Sequence, residues 1–359
     1  MKRHLIALFA CGFISTSFSQ VVNIPDFGFK NYLVNKPEIN TNGDNEIQLT
    51  EAMSYTDSIL CVGLGIQNLT GIEAFENLTY LSCVNNSLDF LDVSHNVALK
   101  GLVCAMNDIT SLDLSQNVNL RNLRCSINPL QALDLSHNPH LEYLYCDQAA
   151  LTSLDLSNIS GLLELSCYDN ALSTLNLSGS PLLRYLDCSS NDLNQISLPP
   201  ISALRDVRCQ GNNLPGFDLQ NCPELIQFAG TDNLFTQLNV SACPNLERFD
   251  CPFNGLTSMD FSLNTNMKVI YCFSNQLTSL NVANGNNSGI SILWTINNQL
   301  DCIKVDDVAY SNTNWTGNNF QFDPGDYFST SATCVLGLSD TYQAEIRLNP
   351  NPATDFVQI

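Results

Sequence analysis

The chain has 359 residues and a formal charge of −21, from 35 acidic and 14 basic side chains. So acidic a surface repels phosphate backbones and anionic headgroups, which argues against nucleic-acid or membrane-surface binding. Histidine occurs only four times, so histidine-based catalysis or metal chemistry has little to build on.

Residues 1–19, MKRHLIALFACGFISTSFS, combine a basic start, an apolar run and a small-residue exit. That is the pattern of a secretory signal peptide, and its apolar run is too short to span a bilayer. No later segment is long enough to cross a membrane, so no integral membrane segment is expected after signal removal. Residues 20–58 read as an N-terminal cap. Phe27, Phe29, Tyr32 and Leu33 predict a short amphipathic helix. The following stretch, NTNGDNEIQLTE, resembles an EF-hand calcium loop. The resemblance implies calcium ligands from Asn40, Asn42, Asp44, Glu46 (through its backbone), Gln48 and Glu51. It departs from the pattern in having Asn40 for Asp at the first position and Asn45 for Gly at the sixth. Only Asp44 and Glu51 bring charge to the ion, so the implied affinity is weak and suited to extracellular calcium. The alternative is a solvated polar turn between two cap helices.

From residue 59 to residue 300 cysteine sets a period. Cys83, Cys104, Cys125, Cys146, Cys167, Cys188 and Cys209 follow one another every 21 residues, Cys251 and Cys272 continue the series, and Gly230 stands at the missing rung. Aligned on that period, the chain reads L-x-x-L-x-C-x-x-N-x-L-x-x-L-D-L-S-x-N-x-x, with coils starting at Leu78, Leu99 and every 21 residues to Met267. The step from Met267 to Ile290 is 23 residues, so the last coil, ISILWTINNQLDCI, is slightly irregular. This pattern resembles the leucine-rich repeat family, with cysteine where leucine is usual. The resemblance implies a solenoid that is mainly β, with parallel ladders and few or no helices in the repeats.

Within a coil, L-x-x-L-x-C alternates apolar and polar residues, which predicts a short strand with one buried face. Stacked coils then make a parallel ladder with about 4.8 Å between strands. The Asn three residues after each Cys turns the chain, and its amide can satisfy backbone groups of adjacent coils. Ala149 replaces that Asn, so a local defect is expected there. The second half-coil, L-x-x-L-D-L-S, predicts a second parallel ladder on the convex side. Its aspartates (Asp92, Asp113, Asp134, Asp155, Asp218 and Asp260) form an outward column that accepts local hydrogen bonds or, alternatively, binds cations.

The cysteine column reads as buried free thiols acting as small apolar side chains. In-register rungs sit too far apart for disulfides, and a one-dimensional column offers no tetrahedral metal site. Cys222 and Cys243 share one position of neighbouring coils and are a candidate pair. Residues 301–335 read as a C-terminal cap bracketed by Cys302 and Cys334, a candidate disulfide in an exported chain. Residues 336–359 contain NPNPATD after an alternating strand. They resemble the start of a type IX secretion C-terminal sorting domain, cut short at Ile359.

No Ser/His/Asp constellation, paired-carboxylate motif or phosphate-binding glycine loop stands out, so no enzyme activity is expected. The outward strand positions are richer. Tyr80, Tyr143, Tyr145, Tyr168, Tyr185 and Tyr271 fall there, with Phe253 and Phe273 just beyond, and Arg124, Arg184, Arg205 and Arg208 nearby. Exposed aromatics with arginine are the composition of binding hot spots, although cross-strand stacking alone can stabilise a sheet. Tyr143, Tyr145, Tyr168, Tyr185, Arg124 and Arg208 are therefore the candidate ligand-binding face. The expected function is non-catalytic recognition or adhesion, with an extracellular protein or glycan and the type IX secretion machinery as partners. The expected location is secreted or at the outer cell surface. The alternative is a scaffold or accessory module of a larger secreted enzyme.

Overall fold

The computed structural model describes residues 20–199, 202–332 and 334. The signal segment and the sorting-domain start lie outside the described residues. Thirteen short strands, from Ser58–Leu60 to Phe320–Gln321, stack into one parallel sheet. The register is strict: Leu102, Leu123, Leu144, Leu165, Leu186, Val207 and Phe228 are direct partners down the column. Each is fully buried, and so is every cysteine of the series. The ladder also extends past the regular repeats at both ends. Cys61 adds a buried rung before Cys83, and Phe320–Gln321 pairs with Ile292–Trp294 beyond the point where the leucine pattern stops.

The asparagine column works as expected. Asn107 Nδ2 donates to the carbonyls of Cys83 and Cys104, both at 3.0 Å, and its Oδ1 accepts from Leu88 N at 3.1 Å. The same set recurs at Asn128, Asn191, Asn212 and Asn275. The residue before each Asn is left-handed, at Met106, Ile127, Asp169, Ser190 and Phe253 among others. At Ala149 the column breaks. Leu130 N has no side-chain acceptor there and bonds instead to Asn128 O at 2.9 Å. Gln131 and Ala150 take left-handed φ of 63° and 54°, and Gly65, four residues after Cys61 as Ala150 is after Cys146, takes 66°.

The missing rung at Gly230 has a different cause. A Cβ there would lie 2.6 Å from Phe235 and 3.0 Å from Phe228. These phenylalanines replace leucine and occupy the space a cysteine side chain fills elsewhere. Around them Phe217, Phe249 and Phe261 extend an aromatic core, with ring centroids 5.1–6.2 Å apart.

The expected second ladder is only partly formed. Thr174–Asn176 pairs with Gln195–Ser197, and Ser258–Asp260, Ser279–Asn281, Cys302–Lys304 and Tyr327–Ser329 form a four-stranded sheet. Between Leu88 and Leu156 the convex segments are not strands. Coils that pair tightly along one edge of a curved solenoid fan apart along the other, so strand spacing cannot hold everywhere on both edges. There the aspartates close turns within each coil. Asp92, Asp113, Asp134 and Asp155 each accept from the N–H of the serine two residues on, at 2.9 Å.

Both caps contain helix. Phe27–Val34 starts at Asp26, whose carboxylate accepts from Phe29 N, and it buries Phe29 and Leu33. Leu49–Ser54 follows the polar loop. At the other end a helix that the repeat pattern does not foretell, Val308–Asn314, starts at Asp307. Trp315 then packs on Phe320 and Phe328. Cys302 and Cys334 are joined, with Cα atoms 5.6 Å apart. Cys222 and Cys243 are not a pair. They stand where Asn264 donates to carbonyls of the preceding coil, and the Cys243 thiol donates to Leu219 O in the same way.

Candidate functional site

Because leucine and cysteine point inward, the residues between them form the outer face of the long ladder. Tyr143 and Tyr145 flank Leu144 on one strand, and Tyr185 lies two rungs from Tyr143 in the same column. Arg124 is the direct partner of Tyr145, and its guanidinium lies 4.3 Å from the ring centre. The Tyr145 hydroxyl donates to Glu164 on the next strand. Burial, then Glu164, pushes the Tyr145 phenol up to about 12. Burial and Asp187 do the same for Tyr185. Both rings are therefore neutral hydrogen-bonding surfaces at any physiological pH. Arg208 lies over Tyr185 at 5.3 Å and bonds to Asp206 at 3.2 Å.

Five of the six candidate residues thus form one connected patch. Tyr168 stands apart, two positions beyond the strand Glu164–Ser166 and 39 % exposed, with its N–H bonded to Asp147. Arg205 belongs to the rim, where Arg205–Glu224, Arg121–Glu142 and Lys268–Glu247 link successive coils.

A second aromatic cluster lies further along the face. Arg248 packs over Tyr271 at 5.1 Å, and Tyr271 meets Trp294 edge-on at 5.1 Å. Phe273 contacts both Trp294 and Phe253. Arg248 and Trp294 were not among the sequence candidates. The 23-residue step before Ile290 hid the register of Trp294, which the pairing Tyr271↔Trp294 reveals. Arg-over-Tyr contacts therefore recur three times, at 124/145, 208/185 and 248/271.

In the EF-hand-like loop, Asn42, Asp44 and Gln48 are mutually hydrogen-bonded at 2.8–3.0 Å. Asn40 Nδ2 donates to the carbonyls of Val34 and Asp44. Glu46 pairs its side chain with Lys30 at 2.7 Å. Glu51 is turned inward, accepting from Thr41, Asn42 and Gln48. The set fits a calcium ion only in part. Three side chains converge, while the second charged ligand is engaged by backbone N–H groups. Among the described residues no group of three or more His, Cys, Asp or Glu gathers where it could hold a metal.

No protein-family model matches the sequence, and no curated protein matches it. Solved structures do. The functional domain of InlJ from Listeria monocytogenes, which includes a cysteine ladder, superposes with a TM-score of 0.68 at 24% identity, covering 87% of this chain and 72% of that one. A leucine-rich repeat protein from Leptospira interrogans gives 0.64 at 20% identity, covering 81% and 77%. The internalin InlF from Listeria monocytogenes gives 0.60 at 18% identity, covering 86% and 99%. The chain is a leucine-rich repeat solenoid with few helices, built on a cysteine ladder.

Proposed function

We propose that the protein is a non-catalytic recognition or adhesion protein that binds an extracellular protein or glycan through the outer face of its long ladder. The observation that carries this reading is the threefold recurrence of arginine over half-buried tyrosine on that face. Rigid aromatic and arginine side chains on a sheet offer contact area at little cost in conformational entropy. The signal-like N-terminus, the cap disulfide and the sorting-domain resemblance support export to the cell surface or beyond by the type IX route. Among the described residues no helix is long and apolar enough to cross a membrane.

The test replaces Tyr143, Tyr145 and Tyr185 with alanine and measures adsorption of the chain to extracellular protein and polysaccharide extracts. A loss of at least about tenfold is expected, as for hot-spot residues. Undiminished binding would remove the tyrosine patch as the site. Calcium at the Asn40–Glu51 loop is a subsidiary part of this reading, supported by the convergence of Asn42, Asp44 and Gln48. Millimolar calcium should then raise the melting temperature, and Asp44→Ala should abolish the increase.

A further inference from the structure

The coil that lacks its cysteine also shapes the surface above it. Outward positions carry Tyr145, Tyr271 and Trp294 in other coils, but here the equivalent residue is Ala229. The short side chain leaves a slot of about 440 Å³. That volume is within the range of small-molecule sites. Its two walls are ion pairs of opposite order. Arg208 bonds to Asp206 on one strand, and Arg248 bonds to Asp250 at 2.9 Å two rungs away. The walls therefore stand about 10 Å apart. Each guanidinium is backed by a tyrosine ring, Tyr185 on one side and Tyr271 on the other. Beneath the floor, Phe228 stacks on Phe249 and meets Phe217 edge-on.

We infer that this slot binds one or two rings of an uncharged saccharide, a reading that rests on the recognition role proposed above. The wall charges cancel, two arginines against two aspartates, within a chain of net charge −21. An anionic ligand finds no net attraction in the slot and repulsion outside it. A cationic ligand meets as many arginines as aspartates. What the walls offer is mixed hydrogen bonding. Each arginine gives one nitrogen to its aspartate and keeps most of its five donors. Asp206 and Asp250 present carboxylate acceptors beside them, each side chain 23% exposed. A hydroxyl both donates and accepts, so a polyhydroxylated ring can answer arginine and aspartate together. A preorganised floor and walls lower the ordering cost of such binding.

The experiment titrates the full chain by calorimetry with neutral cello-, xylo- and manno-oligosaccharides, with oligogalacturonate as the anionic probe and chitosan oligomers as the cationic one. Ala229→Tyr fills the slot, and tyrosine is already accommodated in that column at Tyr145 and Tyr271. Asp206→Asn is the second variant, with thermal melting to verify folding of both. At least one neutral oligosaccharide should bind, at least about tenfold more weakly to Ala229→Tyr. No binding of neutral probes, preference for a charged probe, or an unaffected Ala229→Tyr would each overturn the inference. If surface adsorption still depends on Tyr143 and Tyr145 while no sugar binds, the slot proposal fails and the recognition role stands.

Discussion

The asparagine column is interrupted at Ala149 and the cysteine column at Gly230, and the chain repairs the two breaks by different means. At Ala149 the backbone moves. Leu130 N finds a carbonyl within its own turn, Gln131 adopts a left-handed φ and its N–H bonds to Ala149 O. At Gly230 the backbone keeps its register, with Phe228↔Phe249 and Ala229↔Asp250 paired as in other coils, and side chains supply the missing volume. The difference follows from what was lost. An unpaired buried N–H must find an acceptor, which only a shift of nearby backbone or a polar side chain can provide. Lost apolar volume can be refilled by any side chain of the right shape.

The largest effect should come from making the first kind of break where no repair has evolved. Asn191→Ala removes the acceptor of Leu172 N and the donor to the Cys167 and Cys188 carbonyls. It should cost roughly 3 kcal/mol in denaturant unfolding, whereas Ala149→Asn should be neutral or stabilising. Equal small effects at both positions would break the contrast. Next comes Gly230→Cys, which restores the repeat but forces the new Cβ against Phe235. A loss of about 1–3 kcal/mol is expected from overpacking, with much of it recovered in Gly230→Cys combined with Phe235→Leu. Additive effects in that double-mutant cycle would show that the phenylalanine is not the reason for the glycine.

The smallest effect concerns the two ends. At the N-terminal cap, hydrogen bonds, first that from Glu46 N, hold Asp44 below the usual carboxylate range. At the C-terminal cap, burial and then the charges of Asp323 and Asp301 push Asp326 up to about 6. A depressed carboxylate contributes stability above its unfolded pKa and loses it as pH falls. A raised one behaves oppositely: Asp326 favours folding at low pH, and that contribution is lost as pH rises from about 4 to about 6. Asp326→Asn should therefore raise the melting temperature at pH 7 and have no such benefit near pH 4. A gain that does not depend on pH would point to packing instead of charge.

Much of this was legible in the residues because a solenoid repeats its contacts at short range. Each Leu, Cys and Asn meets its counterpart one coil away, so a period in the sequence is a column in space. The buried ladder, the asparagine hydrogen bonds, the defect at Ala149 and the outward tyrosines all follow from that correspondence, whereas the Cys302–Cys334 bond was legible from its bracketing of the cap in a chain with a signal-like start. Where the period slips the correspondence is lost, and Trp294 was missed for that reason. The sequence by itself thus determined the coil, its inward and outward faces and the acidic surface. Only the tertiary structure decided what depends on distances between coils. It set where the convex ladder forms, why Gly230 must be glycine, which arginine covers which tyrosine, and that Ala229 opens a slot between two opposed ion pairs. Curvature, ring packing and side-chain pairing are properties of the stacked assembly, and no single repeat contains them.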